Sequence, residues 1–240
     1  MIELRNITYE VDDNNENKEI LKNVSVTIDD HFVAITGPNG GGKSTLAKMI
    51  AGIIRPTSGQ ILLDGEDITG LNITERARKG ISFAFQQPVH FKGLTVKDLI
   101  TIAAGKEMSV NEICDILSEV GLCAREYIDR EINGSLSGGE LKRIEIAMIT
   151  ARGTKLSIFD EPEAGIDLWS FSMLIEQFEK IHKEKKESLV LISHQERIIQ
   201  MADRIMVIED GKIASIGATD EILPQLLGKT ADSYSCLTCR

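Results

Sequence analysis

An α/β fold with a mainly parallel core sheet is predicted by three features of this 240-residue chain. Short apolar runs alternate with helical patterns through most of its length, the arrangement that gives parallel strands covered on both faces. The first third instead alternates apolar and polar positions, which predicts an antiparallel β region at the N-terminus. A helical stretch then interrupts the alternation, which predicts a helical lobe inserted at about 90–136 within a single domain spanning 1–240.

The elements follow in order. Ile20, Leu21, Val24, Val26 and Ile28 read as a strand, as do Ile61, Leu62 and Leu63 before the turn pair Asp64-Gly65. Residues 31–36 form a short apolar strand candidate, followed by a glycine-rich run and a helix from Lys43 to about Ala51. From 95 to 120 the pattern is helical. Thr95 with Asp98 and Ser109 with Glu112 have capping-box spacing, and Gly121 stands where a C-terminal cap belongs. A helix from about Ser137, a strand at 156–159, a helix with Phe171, Leu174, Ile175, Phe178 and Ile181 on one face, and a strand at 189–192 complete the core. Asp210-Gly211 marks a closing hairpin over 205–216.

Composition narrows the function. A net charge of −10 argues against a nucleic-acid surface, because neutralising phosphates needs clustered Lys and Arg. No run approaches the roughly 18 apolar residues of a membrane helix, and MIELRNITYE lacks a secretory apolar core, so the chain is expected to be cytoplasmic without inserting into a membrane. Cys114, Cys123, Cys236 and Cys239 are too few for a disulfide scaffold. The last two, in C-L-T-C, supply only half of a structural zinc site's ligands.

Three segments carry chemistry. Gly37-Pro38-Asn39-Gly40-Gly41-Gly42-Lys43-Ser44, followed by Thr45, fits the P-loop pattern and sits between an apolar strand and a helix. Glycines let backbone N–H groups curl around phosphates, and the helix N-terminus adds positive potential. Lys43 is expected to reach the β and γ phosphates of ATP, and Ser44 to hold Mg²⁺. The strand Leu156-Ser157-Ile158-Phe159 ends in Asp160 and Glu161, where Asp160 suits a metal shell and Glu161 can polarise an attacking water. Leu136-Ser137-Gly138-Gly139-Glu140 heads a helix, and alone it reads as an ordinary capping box.

Together and in this order, the three segments resemble the ABC ATPases across essentially the whole chain. The resemblance implies a P-loop NTPase of the ABC ATPase fold, hydrolysing ATP with Mg²⁺. It also implies a nucleotide-dependent homodimer, in which Ser137, Gly138 and Gly139 of one copy contact the γ phosphate bound by the other. Gln86 then corresponds to the Q-loop glutamine, a metal-shell residue with Ser44 and Asp160. Asp167 corresponds to the D-loop aspartate and His194 to the switch histidine. Where transporter subunits usually stack an aromatic on adenine, this chain has Val11.

Finer runs resemble the SufC-type ATPases of iron–sulfur cluster assembly: Phe83-Ala84-Phe85-Gln86-Gln87-Pro88-Val89, Ser137-Gly138-Gly139-Glu140-Leu141-Lys142-Arg143 and Gly165-Ile166-Asp167. That likeness implies a SufB/SufD-like scaffold protein as partner. The alternatives are a transmembrane permease, for a transporter subunit, and a nucleotide-gated interaction module with little turnover.

Overall fold

The computed structural model describes residues 1–13, 16–87, 91–133, 136–184 and 188–235. Two compact units divide the chain, Met1–Asn72 with Val190–Arg240, and Ile73–Leu189.

The first unit begins with β1 (Ile2–Asp13), β2 (Glu16–Ile28), β3 (Phe32–Thr36), α1 (Lys43–Ile50), β4 (Ser58–Leu63) and β5 (Glu66–Asp67). Its antiparallel sheet has the order β2-β1-β4-β5. Ile2 faces both Ile28 and Leu63, and Ile7 faces Val24, so strand alternation buries these apolar side chains together. All five residues of β3 are buried, which is why it reads as an unbroken apolar run.

The second unit holds α2 (Ile73–Arg78), β6 (Ile81–Ala84), α3 (Val96–Ala104), α4 (Val110–Glu119), α5 (Ala124–Tyr127), α6 (Gly138–Arg152), β7 (Leu156–Asp160) and α7 (Leu168–Glu184). Strands β6 and β7 run parallel, with Ile81 opposite Leu156 and Ala84 opposite Phe159. The Phe159 ring meets Phe178 of α7 edge-on, centroids 5.0 Å apart. The buried hydroxyls of Ser82, Ser157 and Thr154 satisfy one another at 3.1 and 2.6 Å. Thr95 and Ser109 form the capping boxes that their spacing predicts. The helical stretch at 95–120 is two helices, because Gly105 ends α3 in the left-handed region at φ 65°. Gly121, just past α4, has φ 71°, as a C-terminal cap requires.

The boundary between units falls in β8 (Ser188–Ile192). The chain then continues in the first unit as α8 (Glu196–Ile199), β9 (Arg204–Glu209), β10 (Lys212–Ala218) and α9 (Thr219–Ser235). Strand β9 runs parallel to β3, with Val33 opposite Arg204 and Thr36 opposite Val207. Asp210 and Gly211, at φ 49° and 78°, make the tight β9–β10 turn. Among the described residues, no helix is long and apolar enough to cross a membrane. Cys236 and Cys239 lie outside the described residues, as do Pro88 and Val89.

Candidate functional site

In the first unit the phosphate-loop residues connect β3 to α1. Gly37, Gly40 and Gly42 have φ values of 131°, 77° and 105°, a region that glycine enters without a Cβ penalty. The loop is pinned from below. A Cβ on Gly37 would lie 2.1 Å from the Ile208 carbonyl oxygen, and the Gly211 N–H donates to the Gly41 carbonyl at 3.0 Å. The β9–β10 hairpin therefore sets the loop's curvature.

Two observations fit this loop to a nucleotide's phosphates. Helices α3, α4 and α6 each have a side-chain cap and an acidic residue in the first turn, whereas α1 has neither. Its N-terminal amides and dipole face no protein carboxylate of its own first turn, the condition an anion needs. In addition, the Lys43 ammonium is folded back onto the carbonyls of Gly37 and Pro38, at 2.7 and 2.8 Å. This holds a cation at the mouth of the loop.

His194 follows β8 in the same unit. The Ser193 N–H donates to Ile35 of β3 at 3.1 Å, which anchors the histidine's loop beside the strand that leads into the phosphate loop. His194, Thr36, Gly37, Pro38 and Asn39 line one cleft of about 480 Å³. Ile199 and Leu223, Leu226 and Leu227 of α9 add apolar lining, beside Glu196. The leucines of α9 are a part of this surroundings that the sequence pattern does not announce.

In the second unit, parallel pairing of β6 and β7 brings the ends of both strands together. Asp160, the last residue of β7, is 3% exposed. Glu161 follows at φ 46°, an uncommon conformation for a side-chain-bearing residue. Its Oε2 accepts a hydrogen bond from Gln86 Nε2 at 2.6 Å. Gln86 and Glu161, 75 residues apart, thus meet.

The LSGGE segment opens α6. The Ser137 hydroxyl accepts from the Glu140 N–H at 3.3 Å, and the Glu140 carboxylate accepts from the Ser137 N–H at 2.6 Å. Glu140 also accepts from the Tyr127 hydroxyl and lies 3.5 Å from Arg130, whose guanidinium stacks over Tyr127 at 5.3 Å. Burial pushes the Glu140 carboxyl up, but the hydrogen bonds from Tyr127 and Ser137 outweigh it, so the net direction is down. Its stabilising contribution is therefore present above the ordinary value of 4.5 and is lost as pH falls through the lowered folded-state value. Ser137→Ala should cost about 1 kcal/mol at neutral pH, read from the urea midpoint, because it removes one half of the box.

Gly138 and Gly139 let α6 approach Gly165, before α7, and the first turn of α7 itself. A Cβ on Gly138 would lie 3.0 Å from the Gly165 carbonyl oxygen, and one on Gly139 2.4 Å from Ser170 Oγ. Asp167 caps α7, accepting from the N–H groups of Trp169 and Ser170, each at 3.0 Å, and from the Ser170 hydroxyl at 2.8 Å. Those bonds, the Ser170 N–H foremost, hold its carboxyl below the usual range. Ser137, Gly138, Gly139 and Asp167 thus share one surface, where Leu168 and Trp169 are 75% and 83% exposed.

Ser44, Gln86 and Asp160 offer oxygen donors, the kind Mg²⁺ takes alongside nucleotide phosphates. Among the described residues, no group of three His, Cys, Asp or Glu forms a cage for a metal. Val11 lies in β1 opposite Lys18 and is 39% exposed.

Residues 21–164 match the family model described as ABC transporter. An uncharacterized ABC transporter ATP-binding protein of Methanocaldococcus jannaschii is 41% identical over 215 residues, covering 86% of each chain. The energy-coupling factor transporter ATP-binding protein EcfA2 of Clostridium acetobutylicum is 32% identical, covering 94% of this chain and 82% of its own. Among solved structures, the ATP-binding cassette MJ0796, dimeric in a post-hydrolysis state bound to ADP and Pi, superposes with a TM-score of 0.82. The match has 26% identity over 91% of this chain and 99% of that one.

Proposed function

We infer that this chain, which belongs to the ABC transporter family of ATPases, hydrolyses MgATP as one of two copies and uses the cycle to change the conformation of a partner protein. The observation that carries this reading is the uncapped α1 behind its glycine loop, a phosphate seat in a chain that opens α3, α4 and α6 with capping boxes.

Each residue has a part. The amides of Gly40, Gly41, Gly42, Lys43, Ser44 and Thr45 cradle phosphate, with Gly37, Pro38 and Asn39 shaping the loop, and Lys43 exchanges its two carbonyl partners for phosphate oxygens. Ser44, Gln86 and Asp160 would hold Mg²⁺, which when bound would supply positive charge against that developing on the transferred phosphoryl group. Glu161 polarises the attacking water, and His194 steadies the γ phosphate. Ser137, Gly138 and Gly139 present the start of α6 to the nucleotide of the second copy, and Asp167 holds that surface in shape. Differential affinity of ATP for the closed pair shifts the equilibrium, so binding performs the mechanical step and hydrolysis resets it.

The partner we propose is a membrane permease, with this chain on its cytoplasmic side, in keeping with the transporter names its relatives carry. A second reading, a SufB/SufD-like scaffold for iron–sulfur assembly, is favoured by one observation, the SufC-like Glu140 and Lys142 where transporters favour glutamine. Co-purification of the tagged chain from its own host separates the two. A polytopic membrane protein in the bound fraction supports the permease, and a partner without membrane spans moves the assignment to the scaffold.

A further inference from the structure

Lys142 and Glu145 stand one turn apart on α6 as an ion pair, Nζ to Oε2 2.9 Å, the lysine buried at 2% exposed and the glutamate part-buried at 18%. No role given above uses either charge. Burying such a pair costs desolvation that attraction alone seldom offsets, so additional hydrogen bonds are needed. Here those bonds converge on one residue. The Lys142 ammonium donates to the Phe85 carbonyl, and Glu145 Oε1 accepts from the Phe85 N–H at 3.1 Å.

Phe85 lies just past the end of β6, where the strand ladder no longer supplies partners for its peptide groups. The ion pair takes both, across sequence separations of 57 and 60 residues. Phe83 fixes the Phe85 ring edge-on, centroids 4.9 Å apart. The next residue is Gln86, with its amide on Glu161.

We propose that Lys142 and Glu145 are positioning residues for Gln86. By gripping the Phe85 backbone they lock the glutamine's loop to the helix that Ser137 caps. A contact made by a second copy's nucleotide at Ser137 and Gly138 is thereby transmitted to Gln86 and Glu161. The proposal rests on the hydrolytic roles given above to those two residues.

The test uses the full chain. A single substitution strands one buried charge and endangers folding, so the informative variant is Lys142→Met with Glu145→Leu, which removes both charges and both grips together. In the nucleotide-free protein, amide hydrogen exchange at residues 85–87 is expected to quicken by about tenfold, as local opening no longer breaks the grip. In steady-state assays kcat should fall by roughly 10- to 100-fold from misplacement of Gln86. ATP affinity, read by titration, should stay within about twofold, since the phosphate loop is untouched. A folded double variant with unchanged protection at 85–87, or with kcat within about twofold of the parent, overturns the proposal. Glu161→Gln, run beside it, separates the two readings: if that variant keeps parental turnover, the assignment of the hydrolytic residues has failed, whatever the exchange shows.

Discussion

Glu161→Gln lowers ATP turnover by roughly 10²- to 10⁴-fold, the range by which a positioned general base accelerates proton transfer. Glutamine keeps the size of the side chain and can still meet Gln86, so the loop after β7 should hold its shape. What it loses is the capacity to take a proton from water. The phosphate loop belongs to the other unit and is unaltered, so MgATP should bind as tightly as before. Phosphate release by the purified protein, with nucleotide affinity measured in parallel, checks both halves. Parental turnover would remove Glu161 from the chemistry, whereas a fall in turnover matched by a fall in affinity would make it a binding residue.

Gly37→Ala should destabilise the first unit by about 3 kcal/mol or more, combining backbone strain with overpacking. The new Cβ would lie 2.1 Å from the Ile208 carbonyl oxygen, in a strand that cannot yield without loosening its pairing with β3. At φ 131° the backbone is also one that only glycine adopts at ease. A melting-temperature loss of roughly 6–12 °C follows for a chain of this size, and nucleotide affinity should fall with it. Gly40→Ala is the control. Its φ of 77° carries strain, but nothing stands within 4 Å of its Cβ, so its loss should be clearly smaller. Equal losses would mean that conformational strain, not the contact with Ile208, dictates the glycine at 37.

That contrast also separates what the sequence makes legible from what it does not. Signals confined to a few residues are readable. Thr95 with Asp98, Ser109 with Glu112, and Ser137 with Glu140 each form their box, because cap and partner lie three residues apart. Asp210-Gly211 turns as its dipeptide requires, and the phosphate loop stands between a buried strand and a helix.

Partners distant in sequence are not readable in that way. Gly37 faces Ile208, Tyr127 bonds Glu140, and Phe85 is held by Lys142 and Glu145 through tertiary approach alone. A lysine and glutamate three apart on a helix ordinarily signal a solvated face. Helix α9 is hidden for a different reason. Pro224 and Gly228 are both poor helix formers, and both lie inside it, so local preference argues against the element that supplies a wall of the His194 cleft. Burial of Ile222, 7% exposed, works against that preference.

Trp169 is the chain's single tryptophan, and it stands largely in solvent two residues beyond Asp167. Indole emission from the native protein therefore originates at one address, on the face that carries the start of α6. The molecule comes with its own optical gauge: a blue shift or loss of quencher access on adding MgATP reads what happens at that face, with no label attached and no other indole to subtract.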